Sequence, residues 1–553
     1  MPQPIAYNSG NPISGSIEKS TLSFTVEGAP RNERDYSSSY AGVDWYSTIP
    51  PQDGKYVIIS ASNPPMIWVT ADETDAELLI TVNGLPDRYN QTLFTDTGSA
   101  LSWLGSNAYF VSRETPDQID ADSMILSIDA SQLSSYPREG TNSYDLSGVE
   151  NNGTLANGTT FDSRGWFNFV GTDDEITVPD NVGLRLTTDM SFEFLVKVNS
   201  SQNNPYPRLI DKSNWLVHLS QTSPFSIAQN INTSSGLRQV GVGSAFSSDT
   251  WTHILTTYDG QVGKIYTNGK LVSTNSWGSV LGATTSGTTV TIGGDTATSR
   301  QLNGNIAKTK IYNRALSESD VKQNYYGGPI VTDGLVLAMD ASNLVSYESG
   351  STTAYSLTGS LSGSLVNGVG YNPQNGGTWA FDGVDDYINL GSPSSLSNAQ
   401  FTITFWYNPS TLNNILYNGI INGKTPGGKF CLFWFNGTTL SVQYQDDSGL
   451  SRANGGVWTR SQTATGAVSE TNKWYFIQIT GNETTDEWRV GVNLNVSTSD
   501  FGSQYVAPNN LWLLGYSTLP DHGKIANFQV YNRILTQEEI QQNYSATKQK
   551  YLF

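Results

Sequence analysis

The sequence is poor in the residues that form crosslinks and catalytic centres. Its 553 residues include one cysteine, Cys431, and three histidines. An internal disulfide is therefore excluded, so packing and hydrogen bonds must hold the protein together. Cys431 stands between Phe430 and Leu432, which predicts a buried thiol and not a nucleophile. We find no metalloprotease motif or G-x-S-x-G elbow, and interpret the histidines as strand or loop residues; they are His218, His253 and His522.

Charged residues and long apolar runs are also scarce. Only 14% of residues are charged, and 49 acidic against 30 basic residues give a net charge of −19. This excess of acid disfavours nucleic-acid binding. The most apolar run, residues 430–435, is far shorter than the roughly 20 residues that cross a bilayer. The opening MPQPIAYNSG lacks a signal-peptide pattern. We therefore predict a soluble protein with no export signal, membrane insertion or nucleic-acid partner.

Glycine and aromatic residues are what the chain has in abundance. It contains 53 glycines, and 11% of its residues are aromatic. Such a composition is typical of many short strands joined by tight turns. The length exceeds the roughly 250 to 300 residues at which chains usually divide into domains. An all-β protein of several domains is expected.

The strongest pattern is an internal repeat. The segment MILSIDASQLSSY (124–136) aligns with LVLAMDASNLVSY (335–347) at seven identical positions out of thirteen. The segment GNIAKTKIYNRALSESDVKQNY (304–325) aligns with GKIANFQVYNRILTQEEIQQNY (523–544) at ten of twenty-two. Matching first and last segments indicate two duplicated domains joined at Gly327-Gly328-Pro329, because solenoid repeats are several times shorter.

Hydrophobic residues alternate along the clearest strands of each repeat. Residues 191–198 and 401–407 place apolar side chains at every second position, which predicts half-buried strands. Asn268-Gly269 predicts a type I′ hairpin, because both residues accept positive φ angles. Many antiparallel strands at this spacing indicate a sandwich or jelly roll. Further strands are predicted at 166–170, 251–258, 264–266, 290–292, 474–480 and 488–492.

Each repeat closes with a predicted short helix. Ser317 with Asp320, and Thr536 with Glu539, have the spacing of a capping box. Apolar residues four apart then follow on each helix and can cover one end of the sandwich. These residues are Val321 with Tyr325, and Ile540 with Tyr544.

The first 121 residues match neither repeat. Strand candidates at 21–26, 55–59, 66–69 and 78–82 are separated by proline and Asn-Gly turns, which predicts a small separate β domain. The predicted fold is therefore an N-terminal β-rich docking domain followed by two tandem antiparallel jelly rolls. The predicted domains are 1–121, 122–328 and 329–553.

Several segments resemble a known family. WTHILTTYD (251–259), IYTNGKLV (265–272), FDGVDDYINL (381–390) and the two terminal YNR helices resemble the laminin-G/pentraxin-like branch of the concanavalin A-like lectin and glucanase superfamily. The likeness covers about 430 residues as two copies. The amino-acid sequence of the terminal helices is similar to that found in structural proteins of tailed phages of marine bacteria and cyanobacteria. DYSSSYAGVDWY (35–46) and GKYVI (54–58) resemble a head module of such proteins.

The resemblance implies a place on a virus particle. Our preferred hypothesis is a non-enzymatic virion protein in a fibre, a tail or neck appendage, or a capsid decoration. Its partners would be other virion proteins, further copies of itself and host-surface polysaccharide. It would be made in the host cytoplasm. Two alternatives stay open: a virion polysaccharide depolymerase, and a structural cement protein.

The depolymerase alternative lacks its usual carboxylates. Enzymes of this fold carry acidic residues two apart on a strand, and neither repeat has such a triplet. The sequence Glu73-Thr74-Asp75-Ala76-Glu77 lies outside both repeats and is interpreted as a solvated turn. We therefore predict no catalytic residues.

A calcium site is the open question of the sequence. Asp173-Asp174 and Asp385-Asp386 occupy matching loop positions, and the family resemblance implies that such loops can hold Ca²⁺. The family's further aspartate is replaced by Ala307 and Ala526. The alternative is that all four carboxylates cap turns. No other cofactor is expected.

Sugar binding would require aromatic platforms beside amide and carboxylate groups. A tryptophan in a sandwich is more often a core residue, so no binding face is assigned from sequence. The candidate platforms are Tyr206, Trp277, Trp434, Trp488 and Trp512.

Overall fold

A computed structural model describes the chain in two compact units, residues 1–118 and 119–553. Residues 123–411 are described apart from 296–299, 360, 392 and 397–399, and residues 468–552 apart from 483–486, 501–510 and 515–521. Within 21–94 and 418–464 the structure describes the backbone of the strands. No helix among the described residues combines the length and apolar character needed to span a membrane.

The N-terminal unit contains seven described strands in two antiparallel sheets. One sheet has the order β1-β5-β4 and the other β2-β3-β6-β7. All four strand candidates of this region are found, and the E-x-D-x-E segment lies outside the described residues. The strands are β1 Thr21–Thr25, β2 Tyr36–Tyr40, β3 Val43–Ser47, β4 Lys55–Ser60, β5 Met66–Asp72, β6 Leu78–Val82 and β7 Thr92–Phe94.

The first repeat folds as a sandwich of two antiparallel sheets. We call them the groove sheet, of order β18-β17-β16-β15-β22-β13-β10-β9, and the helix sheet, of order β11-β12-β23-β14-β19-β20-β21 with β8 paired to β23. Its strands are β8 Met124–Asp129, β9 Asn142–Ser143, β10 Gly153–Ala156, β11 Thr160–Asp162, β12 Trp166–Val170, β13 Glu175–Val178, β14 Asp189–Val198, β15 Arg208–Asp211, β16 Trp215–Leu219, β17 Phe225–Thr233, β18 Gly236–Phe246, β19 Trp251–Asp259, β20 Val262–Thr267, β21 Lys270–Ser276, β22 Val290–Ile292 and β23 Asn303–Tyr312.

The second repeat has the same strand order. Its groove sheet is β25-β26-β29-β38-β31-β32-β33-β34 and its helix sheet is β27-β28-β39-β30-β35-β36-β37, with β24 paired to β39. Its strands are β24 Leu335–Met339, β25 Thr353–Tyr355, β26 Ser362–Val366, β27 Gly370–Asn372, β28 Thr378–Asp382, β29 Tyr387–Gly391, β30 Gln400–Pro409, β31 Asn418–Lys424, β32 Phe430–Asn436, β33 Thr439–Tyr444, β34 Arg460–Ala464, β35 Tyr475–Asn482, β36 Glu487–Val492, β37 Asn495–Asp500, β38 Leu511–Leu514 and β39 His522–Tyr531.

Two jelly rolls within an all-β chain are thus confirmed as the fold class, and the duplication follows from the shared strand order. Buried residues from both sheets fill each sandwich; in the first, Phe192 of β14 packs 4.7 Å from Trp215 of β16, centroid to centroid. The Asn268-Gly269 hairpin is also confirmed, since the two residues have φ angles of 48° and 73° between β20 and β21. The domain boundaries at 121 and 328 stay predictions.

Each repeat ends in a helix with the predicted capping box. These helices are α1 Glu318–Tyr326 and α2 Gln537–Thr547, and a short α3 Gln549–Leu552 follows. Ser317 and Thr536 each accept a hydrogen bond from the third residue of their helix, whose carboxylate returns to the cap backbone. Thus an aspartate closes the box in α1 as well as a glutamate does in α2.

The prediction of half-buried strands is wrong for β14 and β30. In β14, the seven consecutive positions that follow the first residue are all buried. In β30, nine of the ten positions are buried. The reason is that the outer face of the helix sheet is covered, in part by the helices, which do not lie over one end of the sandwich, and in β14 also by Leu344 and Val345. Val321 of α1 packs there against Leu255, Tyr266 and Tyr312.

Candidate functional site: a groove on the first sandwich

A groove lies on the outer face of the first groove sheet, across β15 to β18. Its volume is about 470 Å³, which is within the usual range for ligand-binding clefts. No carboxylate is among the described residues that line it. The lining residues are Tyr206, Arg208, His218, Ser226, Ile227, Ala228, Asn230, Gln239, Gly241, Val242, Gly243 and Arg300.

Small residues on two neighbouring strands leave the floor of the groove open. They are Ser226 and Ala228 on β17, and Gly241 and Gly243 on β18. A Cβ atom at Gly243 would lie 4.0 Å from the Ser226 hydroxyl, and one at Gly241 would lie 3.6 Å from the Ile227 carbonyl oxygen. Backbone crowding therefore does not demand glycine here. Larger side chains would instead fill the space above the sheet.

Tyr206 stands at one wall of the groove in a constrained conformation. Its side chain is 53% exposed, and its φ angle is +56° although it precedes Pro207. Positive φ is rare for a bulky residue, and such strain is concentrated at functional sites. The Arg208 Nη1 atom donates a hydrogen bond of 3.1 Å to the Tyr206 carbonyl oxygen. The two flanking prolines and this hydrogen bond restrict the backbone at Tyr206.

Two further groups contact the ring of Tyr206. The His218 ring meets it edge to face, with centroids 5.3 Å apart. The Arg300 guanidinium carbon lies 5.9 Å from the Tyr206 ring centroid, and its side chain is 39% exposed. Burial lowers the pKa of His218 to about 4, and the nearby positive charges of Arg208 and Arg300 act in the same direction. His218 is therefore neutral at pH 7.

Two carboxylates near the groove lie beside arginines and do not line the groove itself. The Nε atom of Arg208 lies 3.1 Å from the Oδ2 atom of Asp211, and the Nε atom of Arg300 lies 3.9 Å from the Oδ2 atom of Asp295. Burial lowers the pKa of Arg208 and raises that of Asp211, while their ion pair opposes both shifts. The two aspartates do not line the groove and Arg208 is buried, so the exposed charge of the lining is that of Arg300.

The opposite end of the groove is formed by amides. Gln239 Nε2 donates a hydrogen bond of 2.8 Å to Asn230 Oδ1. Asn230 lies on β17 and Gln239 on β18, where the two residues face each other in the sheet register. The groove thus combines an exposed aromatic ring, cations and amides. This combination can hold a polyhydroxylated ligand that carries acceptor or anionic groups.

The predicted acidic loops differ between the two repeats. In the second, the carboxylates of Asp382, Asp385 and Asp386 lie within 4.8 Å of one another. Asp386 accepts a hydrogen bond of 2.9 Å from the Asp382 backbone, and its buried Oδ1 atom has no hydrogen-bond partner. Burial raises the pKa of Asp386, and the neighbouring Asp382 and Asp385 raise it further.

The first acidic loop has two aspartates at this place. Asp174 accepts a hydrogen bond from the backbone of Val170, which occupies the position of Asp382. Burial raises the pKa of Asp174, as does the charge of Asp173. Turn capping is therefore observed for Asp174 and Asp386, whereas the calcium site stays a prediction. The third carboxylate could have been noticed in the sequence, because FDGVDD contains it.

The candidate aromatic platforms have different environments. Tyr206 is exposed in the groove, whereas Trp277 is half-buried and lies against Tyr258 and the Arg238 guanidinium, with separations of 5.9 and 5.3 Å. The side chains of the other three lie outside the described residues, as does that of Cys431; these three are Trp434, Trp488 and Trp512. Sequence reasoning missed Arg208 and Arg300, and it interpreted His218 as a strand or loop residue, which is its place in β16, without assigning it to a site. The motif Pro205-Tyr206-Pro207-Arg208 was the available signal, because a tyrosine between two prolines is held rigidly.

Comparison with known proteins identifies one family model. It is described as concanavalin A-like lectin/glucanases superfamily (Laminin_G_3), and it matches residues 170–322 and 382–541. None of the curated proteins matches the chain.

Several solved structures match the chain at low identity and low TM-score. The binding domain of Paraclostridial Mosquitocidal Protein 1 is 14% identical with a TM-score of 0.33, covering 60% of this chain and 91% of that one. Domains LG4-5 of the mouse laminin alpha1 chain are 10% identical with a TM-score of 0.25, covering 69% and 94%. The CBM40 of Ruminococcus gnavus IT-sialidase, bound to alpha2,3 sialyllactose, is 16% identical with a TM-score of 0.22, covering 27% and 94%.

Proposed function

Because this chain belongs to the concanavalin A-like lectin/glucanases superfamily, which its two sandwiches match over more than half of its length, we propose that it is a non-enzymatic structural protein of a phage particle that binds host-surface glycans. The observation that carries the binding role is the groove beside Tyr206. A strained, exposed aromatic ring beside a guanidinium group, in a groove that also contains amides, is suited to bind a sugar. The virion role is supported by the likeness of the terminal helices to phage structural proteins.

The ligand class follows from the charge of the groove. Its described lining contains no carboxylate and has Arg300 as its exposed cation, although the chain as a whole carries a charge of −19. General attraction of polyanions is thus disfavoured, and recognition must be local. A sugar that bears a carboxylate would stack on Tyr206 and place its charge at Arg300, where a charge-assisted hydrogen bond adds affinity.

Binding to an array of bacterial polysaccharides tests the groove. Each acidic glycan is paired with its carboxyl-reduced counterpart, so that only the charge differs. Tyr206→Ala should weaken binding at least tenfold, whereas Tyr355→Ala, at a tyrosine that is 55% exposed on the second sandwich, should leave it unchanged. Arg300→Gln should weaken binding of the acidic form and not of the reduced form. Equal binding of both forms would contradict the ligand class, and no Tyr206-dependent binding would contradict the function.

Purified particles test the virion role. Antibody labelling followed by electron microscopy should place the protein on the particle surface. We propose that residues 1–121 form the docking end, because a unique domain precedes a duplicated one and an anchor has to match a single socket. A chain lacking them should fail to join particles. Incorporation that instead requires residues 329–553 would reverse this orientation.

The same material distinguishes the alternatives. Release of reducing ends from a bound polysaccharide would show a depolymerase and contradict the proposal. A particle-bound chain that binds no glycan would be a cement protein.

The acidic loop of the second sandwich is proposed to bind Ca²⁺. The unpartnered Oδ1 atom of Asp386, beside two further carboxylates, is the observation that favours it, since hard oxygen ligands suit this ion. Calcium should raise the melting temperature of the protein, and Asp386→Asn should abolish the effect. Asp174→Asn in the first loop is the matched control and should preserve it. Calcium stabilisation lost equally in both variants would contradict this assignment.

A further inference from the structure

The two helix sheets carry an apolar patch at equivalent positions of their outer faces. In the first sandwich it consists of Leu195, Trp251 and Ala307, which pack together in one buried cluster. In the second it consists of Trp406, Trp474 and Ala526, which again belong to one cluster. The equivalence follows from the register, because Val196 pairs with Ile306 as Tyr407 pairs with Ile525. We call each patch a docking face.

The second sandwich itself covers the first docking face. Leu344 and Val345 of the loop after β24 pack on this cluster. Glu348, from the same loop, accepts hydrogen bonds from Lys197 at 2.8 and 2.9 Å and from Trp251 Nε1 at 3.1 Å. The joint between the sandwiches is therefore a loop inserted onto an aromatic face and fixed by a charged side chain.

The end of the chain covers the second docking face. We call residues 548–551 the strap. The ring centroid of Tyr551 lies 4.9 Å from that of Trp406 and 4.9 Å from that of Trp474. The Lys550 carbonyl oxygen accepts a hydrogen bond of 2.6 Å from Asn375, whose Oδ1 atom accepts one from Trp474 Nε1. The strap thus stands where a following sandwich would insert its loop.

The first sandwich has its own copy of the loop that packs on the docking face, and this copy is exposed. Residues 131–134 align with 342–345 in the repeat, so that Leu133 corresponds to Leu344. All four residues of this loop are exposed, and Leu133 is 60% exposed. Leu133 is therefore the exposed counterpart of a leucine that packs in the interface between the sandwiches.

We propose that the docking face of the second sandwich binds loop 131–134 of a second copy of this chain when the strap moves away. Charge complementarity agrees with this contact. Pro137 takes the place of Glu348, and Asn408 takes the place of Lys197, so the ion pair of the first joint has no counterpart in this contact and neither of its charges has to be matched. Face and loop lie on different sandwiches, so the contact is head-to-tail and generates a closed ring or an open row of copies.

The strap is suited to reversible closure. It is one short helical segment, held on the face by the Tyr551 ring and by the hydrogen bond that the Lys550 carbonyl oxygen accepts from Asn375. Opening it breaks one ion pair, that of Lys550 with Asp340 at 3.3 Å. Burial lowers the pKa of Lys548 to about 8, so closure of the strap opposes the charge of this ammonium group. A strap of this kind competes with a partner for the same face.

Removal of residues 549–553 tests the proposal by light scattering after size-exclusion chromatography. The truncated chain should show a mass at least twice that of the full chain, rising with concentration. Leu133→Glu in the truncated chain should restore the mass of the full chain. Leu237→Glu, at a leucine 57% exposed elsewhere on the first sandwich, should leave the assembly intact.

Tyr551→Ala in the full chain should expose the face without removing the strap. The variant should assemble, and Leu133→Glu should again prevent the assembly. A synthetic peptide of residues 545–553 should dissociate the assembled truncated chain. Assembly that ignores Leu133, a mass unchanged by truncation, or loss of the cooperative thermal transition on truncation would each overturn the proposal. The last result would mean that the strap belongs to the core and cannot move.

Discussion

Glu193 is a buried carboxylate of the first sandwich, and the second sandwich has no carboxylate at the equivalent position. It accepts hydrogen bonds from the Tyr312 hydroxyl at 2.8 Å and from Asn324 at 2.5 Å, and Lys310 lies 3.4 Å away. His253 contacts it at 3.2 Å. Burial opposes its ionisation, but the charge of Lys310 and the hydrogen bonds from its neighbours outweigh this, so its pKa lies below the ordinary value.

The second sandwich fills the same place with neutral groups. Gln529 Oε1 accepts hydrogen bonds from the Thr404 hydroxyl at 3.1 Å and from the Tyr531 hydroxyl at 3.0 Å. Thr404 corresponds to Glu193 and Gln529 to Lys310, because both pairs face each other in the same strand register. The repeat thus supplies a natural substitution in which both charges are removed together.

We predict that Glu193→Thr alone is strongly destabilising. It leaves Lys310, whose side chain is only 17% exposed, without its carboxylate, and breaking a buried ion pair costs about 3 to 5 kcal/mol. Because some solvent reaches Lys310, we expect the lower limit, about 3 kcal/mol. For a domain of this size the melting temperature should fall by roughly 6 to 12 °C.

The double variant Glu193→Thr, Lys310→Gln should recover most of this loss. It recreates the neutral pair of the second sandwich, and the remaining deficit, about 1 kcal/mol, is the contact that His253 loses. Scanning calorimetry of the full chain at pH 7 measures both variants. A single variant that melts within about 2 °C of the parent, or a double variant that melts as low as the single one, would refute the reasoning. Since the folded pKa of Glu193 is depressed, the difference should shrink as the pH falls below about 4.3.

Three further predictions concern the groove, the joint and a hairpin. The pKa of His218 is lowered to about 4 in the folded state, so stability should fall by at most about 3 kcal/mol between pH 6.5 and 4; urea unfolding of His218→Gln should lack this portion. Glu348→Gln should weaken the joint by about 2 kcal/mol, measured as faster protease cleavage between the sandwiches, and an unchanged rate would contradict the role of Glu348. Gly269→Ala should lower stability by more than about 1 kcal/mol, since φ is +73° and the new Cβ would lie 2.8 Å from Tyr325; Gly236→Ala, where φ is +111° in open space, should cost less.

Local patterns predicted the repeated fold because the relevant interactions lie close together in sequence. The alternation of β14, the Asn268-Gly269 turn and the two capping boxes each depend on neighbours within a few residues. Matching segments at both ends of each repeat then predicted the shared strand order, since equal patterns fold under equal constraints.

Only the tertiary structure could reveal the groove and the covered faces. Tyr206, His218 and Arg300 come from segments up to 94 residues apart, and their meeting depends on the path of β15 to β18 and not on any local spacing. The alternation of β14 predicted a polar outer face, yet Leu195 is 7% exposed because a loop of the next sandwich lies on it. Sequence determined which strands form, since periodicity is local, whereas packing between sheets and between repeats decided which of their faces remain free.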